Sequence, residues 1–255
     1  DKNTGYSVGG DGIILKTTDG GNSWTKQTSG TAEDLYTACF TDPSNGYVAG
    51  WNGTILHTTD GGAVWNSQAS GVPTTTLRSV HFPATDTGYI VGERNTIIKT
   101  TNGGETWQQL TSGIYSPDLS LKSGFFCDAT HGIVVGDSGY IFKTTDGGAN
   151  WTFKKMFPGL PVQNLYAVYF PSAMVGYATG CFCIILKPID GGENWTSLDA
   201  GIPTSNALKS VCFSDENTGY AVGSQKGTII KTTNGGATWA LQYSGTRYAL
   251  SSVCF

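Results

Sequence analysis

Carboxylates, thiols, imidazoles and one out-of-register tryptophan are the side chains of this 255-residue chain with reactive or ligand-gripping chemistry. Asp11 and Asp137 stand at predicted hairpin tips. They are the natural pair for an inverting glycosidase, which needs two carboxyls roughly 6.5–9.5 Å apart. They fall in the first and fourth of six repeats, opposite one another in a six-membered ring, and that is too far. The thiols are no more promising. Cys39, Cys212 and Cys254 share one repeat position, where other copies place His81, Phe125 and Tyr169. Equivalent positions point the same way around a ring, so these thiols read as small hydrophobes between repeats. Cys181 and Cys183 flank Phe182, and a disulfide between them would be strained. A metal there needs two more ligands, and His57, His81 and His131 lie in other repeats. No nucleophile elbow, phosphate loop or zincin helix occurs. We expect no metal, no cofactor and no catalytic residue.

Binding is the better prospect. Trp51 is the one tryptophan outside the repeat register, beside Asn52-Gly53 at a predicted hairpin tip. An exposed aromatic there can stack on a sugar or anchor a protein. It can equally fold back over a neighbouring repeat. Arg94 and Phe182 occupy corresponding tips, and Tyr115, Phe157, Arg247 and Tyr248 lie in the variable loops that lead into the repeats. Together these seven residues form a candidate partner-binding rim. The loop aromatics also fit a role as lids over the repeat ends.

The elements that must position these residues follow from one stretch, Thr17-Thr18-Asp19-Gly20-Gly21-Asn22-Ser23-Trp24, which recurs six times. The closing tryptophans Trp24, Trp65, Trp107, Trp151, Trp195 and Trp239 are 41, 42, 44, 44 and 44 residues apart. A period of that length marks a solenoid or propeller. A β-branched run leads into each copy, a turn follows, and the tryptophan heads the next strand. Asp19, Asp60, Asp146 and Asp190 hold the turns by accepting backbone hydrogen bonds, and glycines supply the positive φ. Asn102 and Asn234 replace the carboxylate by an amide, so local hydrogen bonding suffices and charge is not required.

Aligned, each repeat gives four strand-like pieces, as in 208–213, 218–223, 227–232 and 238–242. Four antiparallel strands per 40-odd residues make one propeller blade. The chain opens before a second strand, Gly5–Gly9, and closes on a first strand, Leu250–Phe255. The expectation is one all-β domain over 1–255: a six-bladed β-propeller of four-stranded antiparallel blades, closed by the C-terminal strand completing the N-terminal blade. Charged residues are 13% and the net charge is −4, so no basic face exists to neutralise nucleic-acid phosphates. The apolar runs are far too short to span a bilayer. The chain starts at Asp1 without Met or a signal peptide, which reads as a processed or excised chain.

The Ser/Thr-x-Asp-x-Gly-x-x-Trp pattern resembles the Asp-box, or bacterial neuraminidase repeat. The copies Lys16–Gly21 and Gly46-Tyr47-Val48-Ala49-Gly50 look most like the photosystem II stability/assembly-factor-like propellers. Sortilin-type receptors, sialidases and xyloglucanases share the box more distantly. A sialidase-like site would need an arginine triad and an Arg-Ile-Pro signature, whereas Arg78, Arg94 and Arg247 are the only arginines. The resemblance implies a non-catalytic binding propeller of assembly or surface-adhesion type, with a protein partner or a glycan on the irregular loop face. A carbohydrate-binding propeller is the alternative, and a glycoside hydrolase a weaker one. The box also leans the expected location outside the cytoplasm, or secreted. Asn52, Asn150 and Asn194 head Asn-x-Thr sequons, the last two inside turns expected to hide them.

Overall fold

The computed structural model describes residues 3–158, 163–203, 206–224 and 226–254. The fold is a six-bladed β-propeller of antiparallel blades with almost no helix. The first blade is β1 (Gly5–Val8), β2 (Ile14–Thr17) and β3 (Thr25–Gln27). The second is β4 (Leu35–Phe40), β5 (Gly46–Gly50), β6 (Ile55–Thr58) and β7 (Asn66–Gln68). The third is β8 (Leu77–His81), β9 (Gly88–Gly92), β10 (Thr96–Thr100) and β11 (Gln108–Leu110). The fourth is β12 (Leu121–Phe126), β13 (Gly132–Gly136), β14 (Tyr140–Thr144) and β15 (Thr152–Lys155). The fifth is β16 (Leu165–Tyr169), β17 (Tyr177–Gly180), β18 (Ile185–Pro188) and β19 (Trp195–Leu198). The sixth is β20 (Leu208–Phe213), β21 (Gly219–Gly223), β22 (Ile229–Thr232) and β23 (Ala240–Gln242). Strands are hydrogen-bonded in chain order within each blade. The chain divides into two compact units, residues 1–130 with 146–150, and 131–145 with 151–255.

Second strands such as β5 and β9 are buried along their whole length, because both faces of a blade are packed. The core therefore lies between blades. In the first unit Ile14, Leu35, Val48, Leu56 and Trp65 join the first two blades, and Tyr47, Leu77, Ile90 and Ile98 join the next two. In the second unit Tyr177, Leu208, Phe213, Ile230 and Trp239 do the same for the last two. A repeated aromatic stack marks four of the seams, the fourth blade placing Ile133 at the tyrosine position. The tyrosine of one second strand lies on the phenylalanine ending the next first strand: Tyr6 on Phe40 at 3.8 Å, Tyr47 on Phe82 at 3.9 Å, Tyr89 on Phe126 at 3.6 Å and Tyr177 on Phe213 at 3.9 Å. Each such pair adds roughly 0.5–1.5 kcal/mol beyond the area it buries. The glycine that opens β5 is required by this stack, since a Cβ on Gly46 would lie 2.3 Å from the Phe40 ring.

The Asp/Asn-Gly-Gly turns complete the seams. Thr17 Oγ1 donates to Asp19 Oδ1 and accepts from Gly21 N, while Asp19 Oδ1 accepts from Ser23 N. Asn102 and Asn234 reproduce the arrangement, with Thr106 N and Thr238 N as donors at 3.0 Å. The turn glycine carbonyl then receives the preceding blade: Tyr6 Oη and Lys16 Nζ both donate to Gly61 O, and Tyr177 Oη and Lys187 Nζ to Gly235 O.

The first blade departs in two ways. It has three strands, and 250–254, expected to supply its fourth, forms no strand. Phe255 lies outside the described residues. Residues 250–254 do make the two bonds by which first strands grip the preceding blade. Leu250 N donates to Gly223 O as Leu35 N does to Gly9 O, and Val253 N donates to Ser210 Oγ as Val80 N does to Thr37 Oγ1. Two hooks on one side fix the segment's register, but a strand needs the ladder on its other side as well. The second departure is from the later repeats: Trp24 is 45% exposed, whereas Trp65 is 7% exposed. Trp65 is covered by Phe40 of its own blade and lies beside Gly62, which Tyr6 of the preceding blade touches.

Candidate functional site

Each second and third strand pair is joined by a short loop whose tip is a pair of consecutive residues in left-handed backbone. Its first residues are Asp11, Asn52, Arg94, Ser138, Phe182 and Lys226, all with φ between 51° and 57°. Asp and Asn tolerate that conformation; Arg, Phe and Lys do so at a cost. The second tip residue is glycine at 12, 53, 139 and 227, but Asn95 (φ 58°) and Cys183 (φ 57°) in the third and fifth blades. Strain of this kind accumulates at ligand clamps. The Arg94-Asn95 and Phe182-Cys183 tips are therefore the least explained by folding.

The third-blade tip forms one wall of a cleft of about 400 Å³ lined by Arg94, Asn95, Gln109, Thr111, Ile114 and Tyr115 among others. Two candidates distant in sequence, Arg94 and Tyr115, thus meet. Arg94 Nη1 donates to Thr74 Oγ1 at 3.4 Å, and Tyr115 is 95% exposed. Asn95 Nδ2 donates to Ser112 Oγ at 2.6 Å and Ile114 O at 2.9 Å, pinning the opposite wall, while its buried Oδ1 has no partner. The first blade has a cleft of about 510 Å³ in the corresponding place, between Asp11 and 26–32.

The other candidates are separate. Trp51 is half-exposed on the second-blade tip, its backbone N–H donating to Asp34 O, and Asn52 Nδ2 reaches the Glu33 carboxylate. Phe182 is 53% exposed on the fifth-blade tip. Phe157 behaves as a lid, half-buried against Gly139 of the fourth-blade tip. Arg247 and Tyr248 are exposed on the last loop, next to Thr246, whose carbonyl crowds Gly227. Asp11 and Asp137 belong to different compact units. Asn150 and Asn194, expected to be hidden, are exposed, and each donates its amide to the turn carboxylate, Asp146 or Asp190, at 2.8 Å.

Sequence reasoning missed one set of residues. Four first strands carry a β-bulge at their second residue, re-aiming Tyr36, Arg78, Tyr166 and Lys209. In the first unit the Arg78 guanidinium lies over Tyr36 at 4.7 Å and pairs with Glu93; in the second, Lys209 Nζ lies 3.4 Å over Tyr166, whose hydroxyl meets Cys181 Sγ. Burial and then the Cys181 contact push the Tyr166 phenol up to about 12. Burial tends to raise Glu93, but hydrogen bonds from Arg78 and Thr76 prevail and hold it below the usual range. The signal was present: between a constant Leu and a small residue, this position carries Tyr36, Arg78, Lys122, Tyr166 and Lys209, aromatic or cationic in every repeat but the last.

None of the six cysteines is joined in a disulfide. Among the described residues no three His, Cys, Asp or Glu side chains are placed to hold a metal, and no helix is long and apolar enough to cross a membrane.

A family model described as "Photosynthesis system II assembly factor YCF48" matches residues 28–118 and 115–204. No curated protein matches the chain in sequence. Among solved structures the chain is similar to "YCF48 bound to D1 peptide", at 18% identity and a TM-score of 0.75, covering 94% of this chain and 77% of that one. It is similar to YCF48 from Cyanidioschyzon merolae at 19% identity and a TM-score of 0.72, covering 96% and 83%. It also resembles a GH74 enzyme from Niastella koreensis, at 17% identity and a TM-score of 0.77, covering 95% of this chain but 44% of that one.

Proposed function

The chain belongs to the photosynthesis system II assembly factor YCF48 family, and from that premise we propose that it is a non-catalytic propeller that binds a protein through its hairpin tips and adjoining loops. The observation that carries this is the residue choice at the tips. Arg94 and Phe182 occupy left-handed positions that folding alone would give to Gly, Asn or Asp. Both are exposed, and Trp51 adds a third side chain of the type that dominates protein interfaces. A YCF48 structure that holds a D1 peptide supports a peptide-binding use of this architecture. The Gly-Gly turns, which we read as Asp-boxes, belong to the scaffold, and an extracytoplasmic location goes with the same reading.

The test is capture from an extract of the native source by immobilised chain and by the triple variant Trp51→Ala/Arg94→Gln/Phe182→Ala, compared by quantitative mass spectrometry. Proteins retained by the first and lost from the second are the expected result. Equal recoveries would refute binding at the tips. Trp51 favours one second reading, a lectin, because a half-exposed tryptophan stacks on sugar faces. Glycan-array signals abolished by Trp51→Ala would favour it. Release of sugar from xyloglucan by the purified chain would overturn the non-catalytic reading.

A further inference from the structure

We propose that the third-blade cleft binds an extended peptide segment through a carboxylate, with Arg94 as the anion anchor and Tyr115 as the flat face beside it. The inference rests on the protein-binding reading and names the chemistry of one part of it. Three observations converge. The tip spends left-handed backbone on both Arg94 and Asn95 and leaves the buried Asn95 Oδ1 without a partner, so it is not arranged for stability. The guanidinium is exposed and held by one long bond to Thr74, leaving its fork open to the bidentate geometry that suits a carboxylate. The cleft runs beside Gln109 and Leu110 of β11, the outermost strand of its blade, with Tyr115 across from them. An open trough flanked by a sheet edge fits an extended chain and not a compact anion. The first blade supplies an internal comparison, a similar trough with Asp11 where Arg94 stands, Lys26 as its one cation and no aromatic side chain. It should bind the same ligand more weakly.

The test is an NMR titration of isotope-labelled full chain with three probes: N-acetyl-glutamate N′-methylamide, its glutamine counterpart, and N-acetyl-alanine. Saturable shifts at the Arg94 side chain and the Tyr115 ring are expected with one or both carboxylate probes. The glutamine probe should bind at least about tenfold more weakly, the worth of one charge-assisted hydrogen-bond pair. Stronger binding of the glutamate probe assigns an internal acidic side chain; stronger binding of N-acetyl-alanine assigns a chain terminus. Arg94→Gln, on an exposed tip, should keep the dispersed spectrum and lose the shifts. The inference is overturned if neither carboxylate probe saturates, if the glutamine probe matches them, or if Arg94→Gln binds unchanged. Probe binding without tip-dependent protein capture would sink the protein-binding reading and leave the cleft's chemistry standing. Capture without probe binding would do the reverse.

Discussion

His81 stands where other first strands place Cys39, Phe125 or Cys212, and it shows what a misfit side chain costs. It packs on Phe125 at 4.7 Å, its Nδ1 has no partner, and burial lowers it to about 4. Unfolding restores an ordinary imidazole near 6.5, so the unfolded state takes up protons first as pH falls. The stability that the neutral imidazole contributes is complete above pH 6.5 and is lost between there and about pH 4, up to about 3 kcal/mol in all. His57, also lowered by burial, where other blades use Lys, acts in the same direction. Denaturant midpoints measured from pH 7 to 4 should therefore fall less steeply in His81→Phe, which borrows the residue of the next blade, than in the parent. Parallel curves would mean that His81 takes up its proton as readily in the folded chain as in the unfolded one. At the same scale, the tips were only half legible. The sequence marked Arg94 and Phe182 as odd, but the left-handed backbone that makes them costly needs coordinates, as does the meeting of Arg94 with Tyr115.

At the scale of the element, the Gly-Gly turn and its tryptophan form a clamp whose strength depends on the neighbouring blade. Trp65 is closed in by Phe40 and the turn beside it touches Tyr6, so Trp65→Ala removes a buried ring and should cost about 3–5 kcal/mol. Trp24 has the same turn but nearly half its surface in water, and Trp24→Ala should cost less than half as much. Urea unfolding of the two variants checks this, and equal losses would show that Trp24 is covered in solution. The turns, strands and blade count were legible because hydrogen-bonding residues and glycines recur at a fixed period. The bulges that re-aim Tyr36, Arg78, Tyr166 and Lys209 were only partly legible: Leu77 and Val80, or Leu208 and Val211, stand three apart and break the period of two, but the shifted pairing itself needs coordinates. The strand expected from 250–255 was legible as a pattern. Its hooks to Gly223 and Ser210 exist, but a sequence cannot say whether the second ladder forms.

At the scale of the molecule, the two ends of each blade have divided their work. Gly-Gly turns and tyrosine–phenylalanine stacks repeat with little variation and hold blade to blade. The tips differ in every blade, carrying Asp11, Asn52, Arg94, Ser138, Phe182 and Lys226 on one shared backbone conformation. A uniform scaffold with variable ends is how a repeat protein gains a specific binding surface, since changes at the tips leave the seams untouched. Binding of a protein at the tips is the claim on which the rest depends. Its most direct test is amide hydrogen exchange on the chain with and without a protein captured from its native source. Protection on binding should concentrate at tips and loops around residues 51–53, 94–95, 112–117 and 181–183. Protection concentrated instead on the Gly-Gly turns around 19–23, 60–64 and 234–238 would contradict it.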